Sequence, residues 1–146
     1  MNKEPPAVSI FERAHHRLMR LVESDPQIGK LVPDDAVIKA IKAPGLSYQE
    51  VIATVLAGYA DRPALGTRAT EIRESGGRKV RHTLPSYMMI TYGELARQVE
   101  AIASAWRHHP RHRVTPGEFF AFIAFTSAEM AALDLACAYA QAVAVP

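Results

Sequence analysis

Apolar positions follow a helical period in the first part of the chain, and that period breaks off near residue 61. From about Val8 to Ser24, Ile10, Ala14, Leu18, Leu21 and Val22 fall on one helical face, with Glu12, Arg13, Arg17 and Arg20 on others. Asp25-Pro26 closes this helix, because the residue before a proline is pushed out of the helical region. A short helix is predicted from Asp34 to about Lys42, ended by Pro44-Gly45. Ser47-Tyr48-Gln49-Glu50 has the spacing of a capping box, in which serine and glutamate satisfy each other's orphan backbone donors. The helix it starts carries Val51, Ile52, Val55 and Leu56 and runs to about Ala60.

Past Asp61-Arg62-Pro63 the pattern becomes extended. Ala64 to Arg73 and Arg78 to about Ile90 read as two strands joined at Ser75-Gly76-Gly77, whose glycines suit a tight hairpin. Thr91-Tyr92-Gly93-Glu94 repeats the capping-box spacing, and Leu95, Val99, Ile102, Ala103 and Trp106 then share a helical face that ends near His108-His109-Pro110. Phe119 to Phe125 is a continuous apolar run of strand length, the pattern of a strand buried on both faces. Thr126-Ser127-Ala128-Glu129 is a third capping-box candidate for a helix from about Ser127 to Ala140, and Ala142 to Val145 starts another strand. Strand, capped helix, strand is the order of a right-handed parallel unit. The predicted class is therefore α/β: a helical N-terminal segment, a hairpin, then the first β-α-β units of a sheet that looks incomplete, with an exposed final strand edge.

Composition narrows the possibilities. The 146 residues are 49% hydrophobic and 22% charged, enough apolar material for one packed domain without a staple. The length is too short for most multi-substrate ATP-dependent enzymes. A formal net charge of +2 gives no concentrated basic field, so nucleic acid is not an expected partner. One cysteine, Cys137, cannot form an internal bridge, which fits a reducing compartment; the expected location is cytoplasmic. Met1 to Ile10 lacks the apolar run of a signal peptide, and Glu118, Glu129 and Asp134 divide the apolar C-terminal third into runs too short to span a bilayer.

Four features invite a chemical reading. Ser75-Gly76-Gly77-Arg78-Lys79 suggests a phosphate loop, but the required glycine spacing is missing and Val80 stands where serine or threonine belongs, so a plain hairpin is expected. His108 and His112 have the four-residue spacing of helical metal ligands, yet Pro110 between them breaks the helix; a solvated basic loop with Arg107, His109, Arg111 and Arg113 is the favoured reading. Cys137, among Leu133, Ala136 and Tyr139, reads as a buried thiol rather than a nucleophile. Glu129 and Asp134 read as a cap and a polar-face residue rather than an acid/base pair. No catalytic, cofactor-binding or metal residue is assigned.

The order of the pieces carries a resemblance. Ile90-Thr91-Tyr92-Gly93-Glu94-Leu95 resembles the L-T-Y-x-E-L motif of adenylate-forming enzymes, the AMP-dependent synthetases and ligases. The stretch from Val114 through Thr115-Pro116-Gly117-Glu118 to Ala142-Val143-Ala144-Val145-Pro146 resembles the next landmark, R-x-G-D, strand, helix and G-A-V-x-V-P. Within that superfamily the chain is most similar to the adenylation domain of carboxylic acid reductases, often called fatty-acid-CoA ligases. Asp25-Pro26-Gln27, Pro33 to Val37, Ala43-Pro44-Gly45-Leu46, Ile52 to Val55, Gly58 to Gly66, Phe125-Thr126-Ser127 and Leu133 to Ala136 carry the match. Gln141 stands where the family usually has glycine, and Glu118 where it has aspartate.

The resemblance implies a helical N-terminal extension over 1–46 and the start of an AMP-binding domain, truncated, over 47–146. In full-length members it implies ATP and Mg²⁺ to make an acyl-adenylate from a carboxylic acid, a phosphopantetheine arm to capture it as a thioester, and NADPH to reduce that to an aldehyde. The segments that perform these steps lie past the point matching Pro146. The resemblance therefore implies no cofactor for this chain and no carboxylate activation by it alone. Around Thr91 and Val143 it implies scaffold. The alternatives are an interaction module, self-associating through its final strand edge; a fragment of another acyl-CoA synthetase; and a small enzyme built on the His108–Arg113 loop and Cys137.

Overall fold

A computed structural model describes residues 9–145; Val8, the predicted start of the first helix, and Pro146 lie outside the described residues. The chain divides into two compact units, Met1–Asp34 and Asp35–Pro146.

In the first unit, helix α1 (Ile10–Ser24) starts at Ser9. The Ser9 Oγ accepts from Glu12 N–H at 3.1 Å and the Glu12 carboxylate accepts from Ser9 N–H at 2.8 Å, a capping box that starts the helix two residues after the predicted Val8. Asp25-Pro26 ends α1 as expected, and Asp25 does a second job. Its Oδ1 accepts from Gln27 N–H at 2.8 Å, starting the single turn α2 (Pro26–Gly29) with proline at its first position.

The second unit begins with α3 (Asp35–Ile41) and α4 (Tyr48–Gly58). The predicted Ser47/Glu50 box is formed: Ser47 Oγ accepts from Glu50 N–H at 3.2 Å, and the Glu50 carboxylate accepts from Ser47 N–H at 2.7 Å. Strands β1 (Pro63–Ser75) and β2 (Arg78–Thr91) then make the predicted antiparallel hairpin, with Ser75 opposite Arg78. Gly76 and Gly77 both have positive φ, 59° and 72°, the requirement of a two-residue turn that matches strand twist. Pro85, which cannot donate to a ladder, falls where the register shifts between Arg68 and Thr70.

Helix α5 (Tyr92–His108) starts at the predicted Thr91/Glu94 box, closed by hydrogen bonds of 2.8 and 3.1 Å. After it come β3 (Phe119–Ala121), α6 (Ala128–Ala140) and β4 (Val143–Val145). β3 and β4 pair in parallel, Phe119 opposite Val143, so the predicted strand-helix-strand unit is present. The core lies between three helices: Ile52 and Leu56 of α4, Leu95, Val99 and Ala103 of α5, and Ala132, Ala136 and Tyr139 of α6. Ala64, Leu65 and Ile90 at the base of the hairpin pack on it.

Two expectations need correction. The first is the strand from Phe119 to Phe125. Only its first three residues pair as a strand, Phe122 N–H adds one bond to the Val145 carbonyl at 2.9 Å, and burial alternates instead of being continuous. Phe120 stacks on Trp106 at 4.4 Å, whereas Phe119 is 77% and Phe125 95% exposed. Among the described residues only one face of this strand is covered, and side chains alternate across a strand, so every second one points outward. The second is the cap of α6. Its N-cap is Ser127, which accepts from Met130 N–H at 3.2 Å; a methionine in the third position cannot return a hydrogen bond, so no reciprocal box forms at Thr126.

Candidate functional site

The hairpin turn and the histidine loop lie apart from each other and from Cys137 and the α6 carboxylates, which share one helix; there Asp134 and Cys137 border the same small cleft. Ser75 to Lys79 forms the hairpin turn just described. His108 closes α5: its Nδ1 lies 2.8 Å from the Ser104 carbonyl. His109 is the C-cap, and its Nδ1 accepts from the backbone N–H of Arg111 at 3.3 Å and of His112 at 2.9 Å, while the His109 and His112 rings stack at 5.4 Å. The imidazoles thus fold the loop after α5.

Cys137 is buried, 1% exposed, on the inner face of α6. Burial, with a smaller contribution from Asp134, pushes its thiol above the ordinary value, which holds it in the unreactive protonated form. Glu129 sits in the first turn of α6. Hydrogen bonds from its own backbone N–H and the Ser127 side chain hold its carboxyl below the ordinary value. That makes it a helix-start anion, favourably placed against the dipole. Glu50 and Glu94 are lowered for the same reason, by hydrogen bonding to Ser47 and Thr91.

Of the clefts on the second unit, two bear on the question of chemistry. The wider, about 650 Å³, lies between the hairpin, α5 and the start of α6, and Met88, Ile90, Ala101, Ile102 and Leu133 make it apolar. Its polar members are Thr67, Gln98 and Glu129, which supply no nucleophile with an adjacent base. The groove is lined mainly by apolar side chains. The second cleft, about 230 Å³, includes Arg107 and Arg113, which the sequence shows only as members of a basic loop. Sequence spacing could not have found it, because its walls come from four segments between Gln49 and Gln141. Among the described residues no group of three or more histidine, cysteine, aspartate or glutamate side chains is placed to hold a metal ion. No helix among them is long and apolar enough to cross a membrane.

At the end of α6, Gln141 takes the left-handed conformation, φ 57° and ψ 29°, and so makes the tight turn into β4 that glycine makes more cheaply. Its carbonyl accepts from Gly117 N–H at 2.8 Å, tying this turn to the loop before β3. In that loop Glu118 accepts from Thr115 N–H at 2.8 Å through its carboxylate. Both departures from the resembled motifs are thus accommodated in the expected backbone.

Comparison with known proteins places this geometry. No protein-family model matches the chain. It is 43% identical over 122 residues to a carboxylic acid reductase of Segniliparus rugosus, covering 82% of this chain and 10% of that protein. To a carboxylic acid reductase of Mycobacterium marinum it is 37% identical over 137 residues, covering 92% and 12%. The adenylation domain of the Segniliparus rugosus enzyme, solved in complex with AMP and a co-purified carboxylic acid, superposes with a TM-score of 0.83 at 40% identity, over 90% of this chain and 21% of that one. The chain therefore spans about a tenth of the length of its curated relatives.

Proposed function

We propose, for a chain that corresponds to the N-terminal part of the adenylation domain of carboxylic acid reductases, a scaffold role in ATP-dependent carboxylate activation. The observation that carries this reading is the likeness over 90% of the chain to an adenylation domain that holds AMP and a carboxylic acid. What the chain contributes is a capped three-helix core, a hairpin packed on it and one parallel strand-helix-strand unit. In the longer enzyme, ATP and a carboxylic acid are the substrates of the first step; Mg²⁺, a phosphopantetheine arm and NADPH serve there and in the steps that follow.

The 146-residue chain alone does not activate a carboxylate. Its helix-start carboxylates Glu12, Glu50 and Glu94 are engaged in caps and its thiol is buried, so no described side chain is both poised and accessible for acyl or nucleotidyl transfer. ATP-pyrophosphate exchange with a panel of aliphatic and aromatic carboxylic acids tests this. The purified chain should give no exchange above background, and acid-dependent exchange that tracks the polypeptide through purification would overturn the reading.

A second reading has its own observation. β3 and β4 form a sheet of two strands with apolar side chains exposed on it, Phe119 foremost, and Phe125 is exposed just beyond β3. Pairing of that edge with a second copy predicts a dimer by light scattering across micromolar concentrations. A monomer throughout that range removes it.

A further inference from the structure

The smaller cleft lies between the start of α4, the end of α5, the 113–116 loop and the last turn of α6. Its polar lining is Arg107, Arg113, Gln49, Thr115, Tyr139 and Gln141, with no carboxylate among the lining residues. Arg107 uses Nε on the Ala103 carbonyl at 3.3 Å, which leaves its terminal nitrogens available. Neither guanidinium pairs with a carboxylate among the described residues.

Acids lie close by in sequence or on the same helices, and none lines the cleft. Glu50 is bound to Ser47, and Glu118 to the Thr115 amide. Glu100 of α5 is near enough to Tyr139 to act on its phenol, after burial the second cause that pushes it up. Tyr139 itself is 7% exposed, and its hydroxyl makes no hydrogen bond to the described residues. The ring is buried, but the hydroxyl is not among the buried unpartnered polar atoms, so it is open to solvent and free to donate. Two uncompensated permanent charges and a phenolic donor therefore border one compact space whose remaining polar groups, Gln49, Thr115 and Gln141, can each donate as well.

We propose that this cleft binds a compact oxyanion of the phosphate class, with Arg107 and Arg113 supplying the charge and Tyr139 a further donor. Guanidinium donors suit this ligand because their fork meets two oxygens at once. The competing explanation is that both arginines only offset the carbonyl end of α5, where cations are favoured without any ligand. The two make different predictions for Tyr139, which has no part in offsetting that helix end.

Titration calorimetry of the 146-residue chain with inorganic phosphate, at neutral pH and low chloride, is the test. A single saturable site is expected, displaced by sulfate. Arg113→Gln should weaken it by about tenfold or more, the scale of a lost charge-assisted bond. Tyr139→Phe should weaken it by about threefold or more with an unchanged far-UV circular dichroism spectrum. Arg113→Lys keeps the charge but loses the fork, so it should bind more weakly than the parent chain; it decides the matter if Arg113→Gln does not fold. Phosphate heats that do not saturate overturn the proposal. So does parent-level affinity in Tyr139→Phe or in the folded Arg113 variants, and the arginines are then helix-end cations only.

Discussion

Gln141→Gly tests how the chain turns from α6 into β4. A residue with a Cβ pays about 1–2 kcal/mol to sit in the left-handed region that Gln141 occupies at φ 57°. Glycine escapes that cost but gives the unfolded chain more freedom, worth about 0.5–1 kcal/mol in the opposite direction. The backbone bonds of the turn do not depend on the side chain: Gln141 N–H donates to the Ala138 carbonyl at 3.2 Å, and its own carbonyl accepts from Gly117 at 2.8 Å. The difference leaves a net gain of about 0.5–1 kcal/mol, or about 1–4 °C in Tm for a chain of this size. Gln141→Val should move the other way, because β-branching adds crowding in the left-handed region. Urea denaturation followed by circular dichroism measures both, with equal m-values showing that the denatured state is unchanged. If the glycine variant is no more stable than the parent and the valine variant no less stable, the turn is not strained at this residue.

Further expectations concern the core and the caps. Val99, 0% exposed at the centre of the three-helix core, should cost about 2–3 kcal/mol when cut to alanine, read as a lower urea midpoint with unchanged slope. Thr91→Ala removes the acceptor of the Glu94 amide and should cost about 1 kcal/mol by the same measurement. Glu94 also sets a pH dependence. Its carboxyl is held below the ordinary 4.5, first by the hydrogen bond from the Thr91 backbone, so its contribution is present above the unfolded value and lost as pH falls through the folded one. Thermal melts between pH 6 and pH 3 should show a smaller acid loss in Glu94→Gln than in the parent chain.

How much of this was legible in the sequence follows from how local each feature is. The boxes at Ser47/Glu50 and Thr91/Glu94 and the turn at Gly76-Gly77 are settled within four residues, and all three form as read. Ser9 and Glu12 carry the same signature, hidden by placing the first helix's start at Val8. At the head of α6, threonine and serine are adjacent candidates, and the spacing to Glu129 favoured Thr126; the backbone instead turns at Ser127, extended at φ −153°. The cleft with Arg107, Arg113 and Tyr139 could not be read at all, because α4, α5 and α6 must pack before its walls exist. The loop histidines were legible as a helix-closing cluster, though not the way His109 gathers the amides of Arg111 and His112.

The apolar run from Phe119 to Phe125 shows why composition alone misleads about burial. Continuous hydrophobicity says that both faces of a strand are suited to cover, as in the parallel sheets of α/β domains. It does not say that the cover lies within the same stretch of chain. Here Trp106 stacks on Phe120 on one face, and Phe119, Ile123 and Phe125 on the other are exposed. The solved relatives that share this fold continue well beyond it, this chain matching 21% of the adenylation domain compared above. The outward residues should therefore contribute little to the stability of the 146-residue chain itself. Ile123→Asp and Phe125→Asp, each at a site exposed in this chain, should change the urea midpoint by the equivalent of no more than about 0.5 kcal/mol, the range for surface substitutions. They should also raise solubility, since an exposed apolar edge favours association. A loss above about 2 kcal/mol in either variant would show that this face is already buried against something in solution. Concentration dependence of the melt would then identify a second copy as the cover.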